Sequence, residues 1–293
     1  MFTKESLQLK TNRSMLSNLL KPSFWVALSK QGRGDSAPYL KKDFWELIAE
    51  EYDDLEQNAF YRSMQEDIIE EMERRGALEK NYTFFDVACG TGSYTVKIAK
   101  KVSLVYALDI SSSMLEILKR KVERENLNNI VLIKADWRKY NPSEKFDTVF
   151  VSMTPILRDL KEVKRLYTVA KKYFVAVQWA GVRKNLLHEE IEKRFFRKQI
   201  KDTQPGFFIL FNYFYTLGNP GDAKFYEGFF EKKSSVDKFW KKLKFRLESK
   251  GYKISLKKER EILEFLEEKA VQGIIENKTK VRIGALFVKK KED

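Results

Sequence analysis

Two acids and two glycines stand at a spacing that can hold a nucleoside. Asp86, Gly90 and Gly92 lie within Thr83-Phe-Phe-Asp-Val-Ala-Cys-Gly-Thr-Gly92. Phe84, Phe85, Val87 and Ala88 read as a strand and Ser93–Lys101 as a helix, so the glycines fall in a tight strand-to-helix turn. In such a turn backbone N–H groups and a helix N-terminus face a ligand, and bare backbone at Gly90 and Gly92 lets a nucleoside lie against it. Asp109 ends a second apolar strand, Leu104–Leu108, about 20 residues beyond the glycines, where a carboxylate accepts from both ribose hydroxyls. A dinucleotide loop would carry a third glycine near position 95, which is Thr95, and needs no acid inside the strand; Asp86 argues against NAD. Each feature also has a plain structural use, since strand-end acids often serve only as helix caps.

Later stretches continue the pattern. Ser111-Ser112-Ser113 offers an N-cap for a helix carrying Met114, Leu115 and Leu118. A third strand, Ile130–Ile133, leads to Ala135-Asp136-Trp137, and a fourth, Phe146–Val151, runs into Ser152-Met153-Thr154-Pro155. Together with Asp86-x-Ala88-Cys89-Gly90-Thr91-Gly92, these stretches resemble, in order, the class I S-adenosylmethionine-dependent methyltransferases. The resemblance implies a Rossmann-like α/β fold, a seven-stranded and mostly parallel sheet with an antiparallel last strand. It implies S-adenosylmethionine as cofactor, held by Asp86, Ala88, Gly90, Thr91, Gly92, Asp109, Ile110 and Met114. Asp136 and Trp137 would hold the adenine, the acid through its exocyclic amine, and Ser152 and Met153 sit where the family lines the methyl-transfer pocket.

The segment before the first strand fits the same resemblance. From Asp43 a helix carries Phe44, Trp45, Ile48 and Ala49 on one face, followed by Tyr52-Asp53. In many small-molecule methyltransferases the equivalent tyrosine approaches the cofactor and the helix closes over the site. That implies a cofactor role for Tyr52; spacing alone makes it core. A second helix, Tyr61–Met72, turns Met64, Ile68, Ile69 and Met72 inward, and residues 43–80 are expected to form a helical lid, with Trp45 and Tyr61 toward the acceptor.

Composition sets outer bounds. The 293 residues are 43% hydrophobic and 14% aromatic, enough for a full core with additions. The single cysteine, Cys89, permits no internal disulfide and suits a reducing cytoplasm. It reads as a small packing residue in the turn before it reads as a nucleophile. Met1–Lys10 is charged and lacks a signal-peptide core, and the apolar run 207–217 is too short to span a bilayer. A soluble, cytoplasmic protein without a membrane partner or a metal is expected. The formal net charge of +14 favours a polyanionic partner. Between Arg183 and Glu259 there are 19 Lys or Arg against 10 Asp or Glu, while 43–73 is acidic. Solvated helix faces are the plainer reading of that excess.

Residues 1–42 read as an N-terminal arm and a linker, the latter clearest at Gln31–Pro38. Residues 81–293 read as the methyltransferase core, with helical insertions at about 183–218 and 234–278. Ile156–Ala170 reads as a helix and Tyr173–Trp179 as the fifth strand. Because ligands sit at the carboxyl ends of strands in open α/β sheets, Trp179 is expected near Ser152, Met153 and Asp136. Arg183–Lys201 reads as a charged helix holding His188, the only histidine, which near an acceptor could take a proton and otherwise is a surface residue. Gly206–Leu217, with six aromatics, reads equally as a buried helix or as an aromatic wall of the substrate pocket. Phe225–Phe230, Ser234–Lys250, Glu259–Ala270 and Val281–Val288 read as strand, helix, helix and strand.

Methyl transfer from a sulfonium is an in-line displacement in which positioning and exclusion of water carry the catalysis, so no universal catalytic residue is expected. The sequence lacks the marks of amino-group methylases of nucleic acids, of cytosine C5 methylases and of arsenic methylases. That leaves a small-molecule acceptor as the first reading, an RNA methyltransferase as the second and a non-catalytic binding module as the third. The aromatic surplus and the arm would suit a homodimer. Asp109→Ala is expected to abolish cofactor binding with the fold intact.

Overall fold

The computed structural model describes residues 17–30, 42–197, 206–249 and 251–291. The start of the arm and the 31–38 linker lie outside these. The chain divides into two compact units, unit 1 comprising 1–181, 205–226 and 283–293 and unit 2 comprising 182–204 and 227–282.

Seven strands form one sheet in the order β3-β2-β1-β4-β5-β7-β6. They are β1 Thr83–Val87, β2 Leu104–Asp109, β3 Ile130–Lys134, β4 Phe146–Ser152, β5 Ala170–Asn185, β6 Asp222–Ser235 and β7 Ile274–Lys289. The central β1 pairs in parallel with β2 and β4, and its Phe84, Phe85 and Val87 are wholly buried. A parallel strand covered on both faces must be apolar nearly throughout, which is why this stretch reads as a continuous run. The last two strands are antiparallel. Lys290 N–H donates to Lys172 O at 2.7 Å, setting the end of β7 against the start of β5. The pairs Glu227–Arg282, Glu231–Lys278 and Lys233–Glu276 fall on one antiparallel register between β6 and β7.

In unit 1, α1 (Pro22–Lys30), α2 (Lys42–Asp53) and α3 (Ala59–Arg74) precede the sheet. Pro22 takes the first helical position, where its missing N–H costs nothing. Asn58 caps α3 by accepting from Tyr61 N–H at 2.9 Å, and Met64, Ile68, Ile69 and Met72 are buried along it. The crossovers carry α4 (Thr95–Ala99), α5 (Ser112–Arg124) and α6 (Leu160–Val169). The helix α8 (Gly206–Thr216) buries Phe207, Leu210, Tyr213 and Phe214, with Phe214 stacked on Phe174 of β5 at 5.3 Å. One face of the aromatic run at 206–217 is thus core, while Phe208 and Tyr215 are exposed.

Unit 2 has its own core. Ile191 of α7 (Leu186–Phe196) joins Phe239, Trp240 and Leu243 of α9 (Val236–Ser249), Ile262 and Phe265 of α10 (Leu256–Lys269), and Ile275. The helices expected between strands six and seven are therefore present as α9 and α10, and the strand at 225–230 is real but longer.

Several boundaries differ from expectation. The helix read over 93–101 shrinks to five residues, since Thr95 and Val96 are β-branched and the Thr95 hydroxyl is drawn to Asp86. The helix read over 156–170 breaks in two. Residues Pro155–Arg158 form a 3₁₀ turn, and Asp159 then caps α6 by accepting from Lys161 N–H. The strand β5 runs on to Asn185 where a helix was read from 183. Asn185 donates to Asn277 Oδ1 at 2.6 Å and Thr279 Oγ1 at 2.8 Å while capping α7, so strand pairing overrides the charged local sequence.

Candidate active site

Strand register puts the chemistry-bearing residues side by side. Val87 of β1 lies level with Leu108 of β2 and Val151 of β4, so Ala88, Asp109 and Ser152 follow at one edge, where the strand order reverses. Ala88 and Met153, immediately past β1 and β4, have φ values of 58° and 52°. The left-handed region costs a side-chain-bearing residue about 1 kcal/mol or more, and such strain gathers at ligand sites.

The turn after β1 is tied down by Asp109. Its carboxylate accepts from Gly90 N–H at 2.9 Å and from Ser111 N–H at 2.9 Å, and the residue is 7% exposed. A carboxylate has about four lone-pair sites, and with the Ile110 N–H also directed at it some acceptor capacity still remains for a ligand hydroxyl. Burial raises its pKa, against the hydrogen bonds from Ser111 and Gly90 that lower it. The expectation that Asp109 would touch only a ligand is thus corrected, because it also holds the loop.

Asp86 is buried deeper. Thr95 Oγ1 donates to it at 2.6 Å. Burial and then, among the charges, Asp109 push its carboxyl up to about 7, with the Thr95 hydrogen bond opposing.

The helix α2 closes one side. Ala49 packs on Met114 and Ile117 of α5, with Trp45, Ile48 and Tyr52 alongside. Glu46 accepts from Ser111 Oγ at 3.0 Å, Ser112 N–H at 2.9 Å and Ser113 N–H at 2.8 Å, filling the N-terminus of α5. Burial alone would raise its pKa, but the hydrogen bonds from Ser113, Ser112 and Ser111 outweigh it and hold the carboxyl far below its ordinary value. Sequence reasoning passed over Glu46. No local signal pointed to it, because an acid four residues after Lys42 reads as that lysine's partner, and the two do meet at 3.4 Å.

Tyrosines complete the wall. Tyr52 sits 3.6 Å from the space above Gly90, and burial followed by the Asp109 charge pushes its phenol up to about 12. The Tyr61 hydroxyl is 3.2 Å from Ser93 Oγ. Tyr94, also unforeseen, packs on Phe150 at 4.7 Å, and its buried hydroxyl has no partner among the described residues.

The cleft gathers most of the residues the sequence singled out. Tyr52, Asp86, Ala88, Gly90, Asp109, Ile110 and Met114 line it, as do Asp136, Trp137 and Ser152. Of the acceptor-side residues, Trp45, Tyr61 and Met153 do too. Four others do not. Thr91 is buried at 2% exposure. Gly92 turns toward packing, since a Cβ there would meet Leu118 Cδ1 at 2.1 Å. Trp179 lies inside β5 because that strand continues to Asn185. His188 belongs to unit 2, its ring 5.6 Å from Phe239. The Trp137 indole N–H is buried without a partner among the described residues, and Asp136 spends one oxygen on Arg138 N–H at 3.0 Å.

A family profile described as a methyltransferase domain matches residues 84–172. Malonyl-[acyl-carrier protein] O-methyltransferase 1 of Ilyobacter polytropus is 40% identical over 79 residues, which are 26% of this chain and 28% of that protein. Demethylmenaquinone methyltransferase of Geobacillus stearothermophilus is 30% identical over 113 residues, 37% of this chain and 46% of that protein. Among solved structures, magnesium protoporphyrin IX methyltransferase from Synechocystis with bound SAH aligns with a TM-score of 0.50 and 13% identity, covering 85% of this chain and 98% of that one. At that identity the likeness speaks for the fold alone. The chain spans between about a quarter and a half of the length of the curated relatives it matches. Sheet order, strand-end acids and the matched segment agree. Residues 84–172 are thus similar to methyltransferase domains, and they lie in a sheet whose order agrees with that likeness.

Proposed function

We propose that the protein transfers a methyl group from S-adenosylmethionine to a small-molecule acceptor. The observation that carries the reading is the pair of buried carboxylates, Asp86 and Asp109, flanking the bare backbone of Gly90 at the foot of the cleft. The donor set suits this cofactor. Asp109 retains acceptor capacity for a ribose diol, Asp136 and Trp137 offer an acceptor and a flat buried ring to a base, and Asp86 suits a cationic group. When bound, S-adenosylmethionine supplies an electrophilic methyl on a sulfonium and leaves as a neutral thioether.

The chain's own work is then positional. Ala88 and Met153 hold the two strand ends in fixed, strained turns, while Tyr52, Tyr61 and Phe150 wall the cleft and exclude water. A walled cleft lined by tyrosines suits a compact acceptor more than a strand of nucleic acid. Relatives named for small or carrier-bound acceptors support the same reading. The test is incubation with methyl-labelled S-adenosylmethionine and a cell extract separated by ultrafiltration. Enzyme-dependent label in a low-molecular-weight compound other than S-adenosylmethionine, or in an acyl group cleaved from its carrier, supports the proposal; label confined to RNA or to the polypeptide itself refutes the small-molecule acceptor.

A further inference from the structure

Unit 2 carries 23 Lys or Arg against 14 Asp or Glu, so nine of the fourteen net positive charges fall on 79 residues. Many of its acids are already engaged within it. Glu227, Glu231 and Glu276 face cations across β6 and β7, Glu190 meets Lys269, and Glu259 accepts from Trp240 Nε1 and Lys244 Nζ.

The helix α9 sorts its residues sharply. Val236, Phe239, Trp240, Leu243 and Leu247 are buried in the unit's core. The opposite side presents Lys238, Lys241, Lys242 and Phe245, all exposed, Phe245 by 57%. Offsets of three, four and seven put these on one stripe about 10 Å long. Lys241 has no acidic partner among the described residues, and the exposed Asp237 and Glu248 lie at the two ends of the stripe. Beyond the helix, Lys253 and Lys257 add exposed positive charge.

Cations spaced along one edge with an exposed ring among them match what single strands need: charge for the backbone and a flat face on which a base stacks. A bilayer is the poorer fit. The apolar side of α9 is committed to the core, leaving one ring to insert. We infer that the exposed face of α9 docks single-stranded nucleic acid, with Lys238, Lys241 and Lys242 taking backbone phosphates and Phe245 stacking on a base. The surface is built from unit 2 residues alone, so its test does not depend on the cofactor assignment.

The test is fluorescence anisotropy of the full chain with a labelled single-stranded RNA of roughly 12 nucleotides, titrated with salt between about 50 and 200 mM. The wild-type chain should bind with an affinity that falls steeply with salt. The Lys238→Ala, Lys241→Ala, Lys242→Ala triple variant should bind more weakly, with a log–log slope shallower by about 2. Phe245→Ala should weaken binding roughly 5- to 100-fold at unchanged slope. All four positions are exposed, so unchanged thermal transitions are expected and serve as the folding control. Absence of binding at the lowest salt, or binding that the triple variant leaves unchanged, overturns the inference. So does binding to phosphatidylserine-containing vesicles with none to RNA.

Discussion

The carboxylate of Asp109 accepts the Gly90 N–H at 2.9 Å, joining the end of β2 to the turn after β1. One acid thereby shapes the backbone a nucleoside would lie on and keeps lone pairs for its ribose. Asp109→Ala is expected to weaken S-adenosylmethionine binding roughly 100-fold or more, since hydrogen bonds to a charged group contribute about 1.5–3 kcal/mol each. It should also lower the melting temperature, because the N–H groups of Gly90 and Ser111 lose their acceptor. Calorimetric titration and thermal unfolding of the same variant read the two effects separately.

Asp86 gives a pH dependence of defined sign. Its carboxyl titrates near 7 in the fold against 3.8 as its ordinary value. The folded state therefore keeps a proton that the unfolded chain has released, and the stability this lends is full below about pH 4 and lost as pH rises through 7. Asp86→Asn, which still accepts from Thr95, should be more stable than wild type at pH 8 by on the order of 1–3 kcal/mol, the difference shrinking toward pH 5. A cationic ligand stabilises the ionised form, so cofactor affinity should rise from pH 6 to 8 in wild type and stay flat in the variant.

Glu46 acts in the opposite sense. Its depressed pKa lends stability above about pH 4.5 that is lost as pH falls toward its folded value. Glu46→Ala uncaps Ser112 and Ser113 and should cost about 1–2 kcal/mol at neutral pH. Because α2 also carries Trp45 and Tyr52, cofactor affinity should fall as well. Denaturant unfolding at pH 7 and at pH 3 checks the sign, with the gap between variant and wild type narrowing at low pH.

Gly92 separates packing from ligand contact. Its φ of 80° and a Cβ position 2.1 Å from Leu118 Cδ1 make Gly92→Ala destabilising by about 2–4 kcal/mol. Adding Leu118→Ala should remove the clash, so the double variant should lose less than the two single losses added together. Simple additivity, measured by denaturant unfolding, would place the cost in the backbone alone.

The sheet and the cleft were legible because their signals are local. Apolar runs that carry Asp86, end in Asp109 or lead to Asp136 name the strands and their carboxyl ends, and the rule that ligands sit at those ends does the rest. What was not legible depends on partners distant in sequence. Nothing near Glu46 says that it will cap a helix 65 residues on, and nothing near Trp179 says that β5 continues to Asn185 because Asn277 and Thr279 lie beside it. Gly92 shows the limit of motif reading. The residue type is required, and the reasons the structure gives are its φ of 80° and the packing of Leu118.

The most direct test of the account is calorimetric titration of the whole chain with S-adenosylmethionine and S-adenosylhomocysteine. One-site binding of both, lost in Asp109→Ala while its far-UV spectrum remains folded, is the predicted result. No detectable heat with either compound, or affinity that Asp109→Ala leaves unchanged, would contradict the assignment of the cleft.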